Sequence, residues 1–239
     1  MARNAYFQFK QFRITQEKSA MKVGMDGVLI GAWADVSGAK QILDVGTGTG
    51  LIALMMAQKN AVARIDAIEI DPDAFLEATA NVEHSNWSDR ITLKLETFQD
   101  FADSATEKYD LIISNPPFFT NGHKAPEENR ALARHSDSLP LDELISGASR
   151  LLNENGRITL VLPTDGLQEI EKLAEANRLF ISRLCRVKPN PQKPDFRILV
   201  ELANWESKFQ EETLMIEFEK HHDYTPEYKE LTKEFYLKF

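Results

Sequence analysis

The sequence has a single cysteine, Cys185, among 239 residues, so no disulfide can form within the chain. A lone thiol with no partner motif is more often a small buried residue than a nucleophile, and we expect that of Cys185. The sequence also has no apolar run long enough to cross a bilayer, and its start, MARNAYFQFK, lacks the apolar stretch of a signal peptide. These absences argue against a disulfide-stapled secreted domain and a membrane protein, and make the cytoplasm the expected location.

Basic residues are too few to balance the acidic ones, since 28 Lys and Arg face 37 Asp and Glu and the net charge is −9. This balance argues weakly against a nucleic-acid partner. Two segments depart from it. Residues 1–26 hold five basic and two acidic residues (+3), and residues 178–197 hold six and one (+5). Each segment could contact phosphates or be an ordinary solvated face, and charge alone favours neither.

The middle of the chain alternates strand-like and helix-like patterns. The apolar runs QILDV, RIDAIEI, ITLKL, YDLIIS and RITLVLP are typical of strands, and helical periodicity lies between them. This alternation predicts a parallel sheet with helices on both faces. Only PNPQKPD separates FISRLCRVK from FRILVELA, which predicts an antiparallel hairpin at the sheet edge. We therefore expect an α/β, Rossmann-like fold with a seven-stranded, mostly parallel sheet.

The order of these elements predicts one core domain with an addition at each end. Residues 39–204 hold all of the strand-like runs and form the expected cofactor-binding core. Residues 1–38 precede the first run, and we predict that they cap the substrate and cofactor. Residues 205–239 are predicted to be a tail packed on the core. Nothing in the sequence sets the oligomeric state, for which a monomer is the default expectation.

A glycine-rich turn, ILDVGTGTG, follows the first strand-like run and precedes a helical pattern. Gly46, Gly48 and Gly50 let the backbone turn sharply and approach a ligand closely. Their spacing is GxGxG, whereas a dinucleotide fingerprint requires GxGxxG. With Asp44 in front, the turn resembles the S-adenosylmethionine loop, in which the carboxylate answers the ammonium of the methionine moiety. The alternative is a tight strand-to-helix turn that binds no ligand.

Acidic residues end the next two strand-like runs. Glu69 lies 69 − 48 = 21 residues past Gly48, where a carboxylate could accept both ribose hydroxyls. Asp71 is a rival for that role, but with Pro72 after it we interpret it as a helix cap. Glu96 could meet the adenine edge or be a plain surface acid.

The run YDLIIS ends abruptly in Asn115, Pro116, Pro117 and Phe118. Two prolines remove two backbone donors, so the simplest interpretation is a rigid strand terminator. The motif has a chemical interpretation because it would open on the same crevice as the glycine loop. Asn115, beside the cofactor, and the Pro116 carbonyl could each accept one hydrogen of an aromatic amine and aim its lone pair at a methyl group. Phe118 could stack an extruded base.

This tetrapeptide resembles the (N/D)PP(aromatic) motif of amino-group methyltransferases, which include adenine-N6, guanine-N2 ribosomal RNA and glutamine-N5 protein enzymes. Together with FQFKQFRITQEKSAMKVGMDGVLIGAWA, ARHSDSLPLDEL and YTPEYKELTKEFYLKF, it resembles the bacterial valine-tRNA adenine-N6 methyltransferases over nearly the whole chain. The resemblance implies a class I methyltransferase fold, S-adenosylmethionine as cofactor, and methylation of the adenine at position 37, next to the anticodon. It also implies that Lys22, Gly24 and Asp26 close over the methionine end of the cofactor.

The alternatives are a glutamine-N5 or guanine-N2 enzyme and a catalytically silent RNA-binding module. For a tRNA partner the candidate contacts are Phe7, Lys10, Arg13, Lys124, Arg134 and His135. Phe7 could equally belong to a half-buried strand, and the loop 120–138 could carry no contact at all. His221 and His222 lack a third ligand at metal-like spacing, so we predict solvated side chains and no metal site.

Overall fold

The computed structural model describes residues 5–19, 22–117 and 139–239. Its strands are β1 Tyr6–Gln8, β2 Arg13–Thr15, β3 Gln41–Val45, β4 Arg64–Glu69, β5 Ile91–Leu95, β6 Tyr109–Ser114, β7 Leu152–Pro163, β8 Phe180–Lys188, β9 Arg197–Ala203 and β10 Gln210–Met215. Its helices are α1 Met25–Trp33, α2 Leu51–Lys59, α3 Pro72–Glu83, α4 Phe98–Ser104, α5 Leu141–Leu151, α6 Leu167–Ala176 and α7 Pro226–Thr232, with a 3₁₀ turn at Thr164–Gly166.

The main sheet has the strand order β10-β8-β9-β7-β6-β3-β4-β5. Strands β3 to β7 are parallel to one another, and β9 is antiparallel to both of its neighbours, β7 and β8. The predicted α/β, Rossmann-like class is confirmed. Two details differ from the expectation. The sheet has eight strands rather than seven, and the reversed strand of the hairpin lies inside the sheet rather than at its edge.

The additional strand, β10, pairs in parallel with β8 along the edge of the sheet. Its sequence, QEETLM, shows no apolar alternation, and its first four residues are exposed. Ion pairs with β8 accompany the backbone ladder, with Arg186 Nε 2.7 Å from Glu211 and an Arg183 nitrogen 3.8 Å from Glu212. Hydrophobic periodicity cannot reveal a strand of this kind.

Apolar side chains cover both faces of the sheet, as expected for buried parallel strands. On one face α1 and α2 pack with β1, β2 and the C-terminal segment, and Phe9, Ile14 and Phe235 are buried in that cluster. On the other face lie α4, α5 and α6. Among the described residues, no helix is both long and apolar enough to cross a membrane.

Cys185 lies within the core on β8 and is 1% exposed. Burial raises the pKa of its thiol to about 12, so the side chain stays protonated and unreactive at neutral pH. The expectation of a small buried residue is confirmed.

Candidate active site

The predicted site residues meet at the carboxyl edge of the sheet because β6, β3 and β4 are neighbours. In the register of these strands, Val45 of β3 pairs with Ser114 of β6 on one side and Ile68 of β4 on the other. The glycine loop therefore starts between Asn115 and Glu69, which follow those two partners. In open α/β sheets a ligand binds beyond such strand ends.

The glycine loop has the backbone that its sequence predicts. Gly46 and Gly48 have φ angles of 71° and 57°, in the left-handed region. Apart from its chain neighbours, a Cβ atom added at either glycine would meet no atom of the described residues within 4 Å. Glycine is thus required here by backbone conformation, and the space beside both residues is open to a ligand.

Asp44 lies at the base of this loop and is completely buried. Its Oδ2 accepts hydrogen bonds from the Thr47 hydroxyl (2.6 Å) and the Ala53 amide (3.0 Å), whereas its Oδ1 has no partner among the described residues. Burial raises the pKa of the carboxyl to about 7, and the nearby charge of Glu69 adds to that effect, although the two hydrogen bonds oppose it. A cationic ligand would favour the charged carboxylate.

Glu69, at the end of β4, is 8% exposed and holds the glycine loop. One oxygen accepts the Gly48 amide at 2.8 Å, and the other accepts the amides of Ile70 and Asp71, both at 2.9 Å. Asp71 has a separate role, since its side chain accepts the Ala74 amide at 2.8 Å and caps α3. The structure therefore supports Glu69 over Asp71 as the carboxylate that faces the loop.

Glu96 follows β5 and is half-buried. Its amide donates to the Glu69 carbonyl at 3.1 Å, which brings it next to the end of β4. This position lies along the same edge of the sheet as Glu69.

The proline motif begins where β6 ends. Ser114 donates its hydroxyl to the Val45 carbonyl at 2.8 Å, which ties this end to the start of the glycine loop. Asn115 is half-buried, and its side chain makes no hydrogen bond to another described residue. Pro116 is buried and Pro117 is exposed. Phe118 lies outside the described residues, as do Lys124, Arg134 and His135.

The residues assigned to the methionine end lie between β2 and α1. The Lys22 ammonium donates to the Gln16 carbonyl, and Gly24 is the N-cap residue that precedes α1. Asp26, in the first turn of α1, pairs with Arg197 of β9 at 2.9 Å. The three residues thus belong to one connected segment, held by contacts within it and by β9.

The candidate RNA contacts of the N-terminal hairpin divide between its two faces. The ring of Phe7 packs on the core, 4.7 Å from the ring of Phe9, as a half-buried strand would place it. Lys10 donates to the backbone oxygens of Lys233 and Phe239. Arg13 is exposed and lies over the ring of Tyr6, 4.5 Å from its centroid.

The second basic segment, residues 178–197, is partly neutralised within the protein, since three of its six basic residues form ion pairs. Arg183 and Arg186 pair with β10 as described above, and Arg183 also lies 4.1 Å from the centroid of the Trp33 ring. With Arg197 held by Asp26, three of its arginines have acidic partners. Charge in the sequence does not reveal this pairing because the partner residues are distant along the chain.

The two C-terminal histidines lie beside an acid that spacing alone did not suggest. In the described part of the chain, Glu217, His221 and His222 form the one group of three potential metal ligands. Both imidazoles are exposed. Glu217 accepts the His222 amide at 3.0 Å and thereby closes the turn before α7, which is a sufficient structural role for the cluster.

Sequence reasoning missed two buried polar residues on α3, Glu77 and Asn81. Both contact the segment that leads to Lys22, and Asn81 also contacts the glycine loop. The sequence does contain a signal that could have revealed them, namely two polar residues one turn apart on an otherwise apolar helix face.

Comparisons with known proteins agree with the fold described above. The family model of the methyltransferase small domain matches residues 28–176. Among solved structures, a predicted O-methyltransferase from Agrobacterium tumefaciens has a TM-score of 0.69 at 19% identity, over 88% of this chain and 96% of that one. A Pyrococcus horikoshii protein, TYW2, solved in complex with MeSAdo, has a TM-score of 0.56 at 13% identity, over 83% and 70%. At such identities these two structures show the fold alone.

The fold and the family model define a class I methyltransferase. Proteins of similar sequence identify the family within this class. The tRNA1(Val) (adenine(37)-N6)-methyltransferases of Trichodesmium erythraeum and Christiangramia forsetii are 47% and 44% identical to this chain over 98% of it, and are covered over 98% and 99% of their own lengths. This chain belongs to the tRNA1(Val) (adenine(37)-N6)-methyltransferase family.

Proposed function

We propose that this protein transfers a methyl group from S-adenosylmethionine to the exocyclic N6 of adenine 37 in tRNA1(Val). The observation that carries the proposal is the convergence of Asn115 with the glycine loop and Glu69 at one edge of the sheet. The names of the full-length relatives support the same substrate. An enzyme acting on tRNA works where tRNA is found, so we assign it to the cytoplasm.

The residues present suit S-adenosylmethionine. The space beside Gly46 and Gly48 admits close approach of a ligand, and the Oδ1 of Asp44, which has no partner in the described part of the chain, suits the ammonium of the methionine moiety. Glu69 would accept the ribose hydroxyls, and Glu96 would lie at the adenine edge. Residues 1–38, with Lys22 and Gly24, would cap the methionine end, while residues 39–204 form the core and 205–239 the tail.

S-adenosylmethionine supplies a methyl group activated on its sulfonium. The lone pair of an adenine amine is delocalised into the ring, so the protein must orient it. In the proposed mechanism the Asn115 side-chain oxygen accepts one amino hydrogen and the Pro116 carbonyl accepts the other. These two contacts would favour a more pyramidal nitrogen, with its lone pair directed at the activated methyl group. Phe118 would stack the extruded base, and no strong base is required.

The identity of the methylated nucleoside tests the function. An unmodified tRNA1(Val) transcript is incubated with the protein and methyl-labelled S-adenosylmethionine, digested to nucleosides and resolved. We expect the label in N6-methyladenosine, and none when position 37 of the transcript carries guanine. Label in N2-methylguanosine, or label in protein when release factors replace the tRNA, would replace this proposal with one of the two alternatives.

The raised pKa of Asp44 predicts how cofactor affinity depends on pH. The pKa of the buried Asp44 carboxyl is about 7. At a pH below that value the carboxyl is neutral and cannot attract the ammonium. We expect the affinity for S-adenosylmethionine to fall roughly tenfold between pH 7 and pH 5.5, measured by calorimetry. The ligand's own α-amino group stays cationic in that range, since such groups titrate near pH 8.

Asp44→Asn is the control for this effect, because an amide does not titrate. Its affinity should be lower at pH 7 and flat across the range, whereas an equal pH dependence in both proteins would remove Asp44 from the ammonium site. Stability gives an independent check. A carboxyl whose pKa rises on folding stabilises the ligand-free protein at low pH and loses that contribution as pH rises from about 4 to about 7. The melting temperature of the wild type should therefore fall relative to Asp44→Asn over that range.

A further inference from the structure

Helix α3 buries two polar side chains on a face that otherwise packs through apolar ones. Its buried residues are Ala74, Glu77, Ala78, Asn81 and Val82. A helix that only covers a sheet carries an apolar stripe there. Burying a carboxylate is costly unless it is well hydrogen-bonded, so the partners of Glu77 and Asn81 should explain their presence.

Glu77 binds three consecutive backbone amides of the N-terminal segment. One carboxylate oxygen accepts the amides of Glu17 and Lys18, the latter at 2.9 Å, and the other oxygen accepts the Ser19 amide at 2.8 Å. Successive amides that converge on one anion form a nest. The carboxylate of Glu77 therefore fixes the path of the chain at residues 17–19.

Asn81, one turn further along α3, joins this segment to the glycine loop. Its side chain accepts the Thr15 amide at 2.8 Å and donates to the Thr15 carbonyl at 2.9 Å. It also donates to the carbonyl of Thr49, between Gly48 and Gly50, at 2.9 Å. A single amide side chain thus touches both the N-terminal segment and the loop that would hold the cofactor.

We use the word strap for residues 15–19 and 22–24, which lead from β2 to α1. The Gln16 side chain accepts the Val23 amide at 2.7 Å, and the Gln16 carbonyl accepts the Lys22 ammonium. The helix that follows packs on the start of α2, since a Cβ atom added at Gly27 would lie 3.0 Å from the Leu51 side chain. The strap therefore lies next to the glycine loop, and its first part, residues 15–19, is hydrogen-bonded to α3.

We propose that Glu77 and Asn81 are positioning residues for the cofactor. They hold the strap beside the glycine loop, so that Lys22 and Gly24 close over the methionine end of S-adenosylmethionine. This inference rests on the proposed function. Neither side chain needs to touch the cofactor, because both act through the backbone of the strap. Holding the strap in place before the ligand arrives lowers the ordering cost of binding.

Glu77→Gln tests the proposal with almost no change in volume. Both carboxylate oxygens accept amides, so the NH₂ group of glutamine must face a donor whichever way it turns. We expect the Kd and the KM for S-adenosylmethionine to rise roughly tenfold, as for loss of a hydrogen bond to a charged group. At saturating cofactor, kcat should stay within about twofold, because the site for the amine is intact. A purely structural role would instead lower the melting temperature and leave Kd and KM unchanged.

Glu83→Gln is the matched control, the same change at an exposed position of the same helix. It should leave both constants unchanged. A Glu77→Gln protein that folds and binds S-adenosylmethionine as tightly as the wild type would overturn the inference. Wild-type protein that binds no S-adenosylmethionine would overturn the cofactor assignment, and the inference with it, so the two failures are distinguishable.

Limited trypsin cleavage of the wild type tests the strap without any variant, should Glu77→Gln fail to fold. Saturating S-adenosylmethionine should slow cleavage after Lys18 and Lys22 several-fold, and should leave cleavage after the exposed Lys208 unchanged. Equal rates at Lys18 and Lys22 with and without the ligand would show that the strap does not close on it.

Discussion

Replacing Asn115 with alanine should lower the rate of methyl transfer by about a hundred- to a thousandfold, the loss typical of removing one preorganised polar contact to a reacting group. The protein should stay folded and bind S-adenosylmethionine as the wild type does. The side chain of Asn115 makes no hydrogen bond to another described residue, so little of the fold depends on it. The measurement is single-turnover methylation of unmodified tRNA at saturating cofactor, with folding checked by thermal melting.

Two further variants separate chemistry from stability. Asn115→Asp keeps an acceptor oxygen in the same place, so it should retain more activity than Asn115→Ala. Asn86→Ala removes an exposed asparagine distant in sequence and should leave the rate unchanged. If Asn115 only terminates β6, its alanine variant would lose stability and keep its turnover. Near wild-type turnover by a folded Asn115→Ala protein would rule out the proposed role.

The location of this site could be predicted from the sequence because it depends on topology. Once the chain is read as alternating strands and helices, the first and fourth core strands become neighbours in the sheet. The turn at Gly46 and the motif at Asn115 then open on one crevice. The cap at Asp71 and the buried state of Cys185 also follow from local rules, and the structure shows both.

Other features could not be predicted because their partners are distant along the chain. Strand β10 has exposed acidic residues, and their side-chain partners are arginines of β8 more than twenty residues away. The acceptor role of Glu77 depends on a bend at residues 17–19, about sixty residues earlier. A sequence shows such residues only as charges, and it does not show which backbone donors will meet them. The acidic partners of Arg183, Arg186 and Arg197 could not be predicted for the same reason.

Glu69 is where a second large effect is expected. Glu69→Ala should weaken S-adenosylmethionine binding by about 1.5–3 kcal/mol, the range for hydrogen bonds to a charged group, or roughly ten- to a hundredfold in Kd. Part of that loss would come from the glycine loop, because Glu69 also accepts the amides of Gly48, Ile70 and Asp71. Affinity alone therefore does not prove a contact with the ribose.

A ligand lacking one ribose hydroxyl separates the two contributions. The wild type should bind S-adenosylhomocysteine more tightly than its 2′-deoxy analogue, and Glu69→Ala should bind the two alike, because the coupling energy in such a cycle isolates the pair that touches. Asp71→Ala is the control: loss of the α3 cap should cost about 1 kcal/mol of stability and leave the preference for the hydroxyl intact. If instead the preference survives in Glu69→Ala and disappears in Asp71→Ala, the ribose is held by Asp71, and Glu69 serves only to shape the loop. Calorimetric titration of the three proteins with both ligands decides between these outcomes.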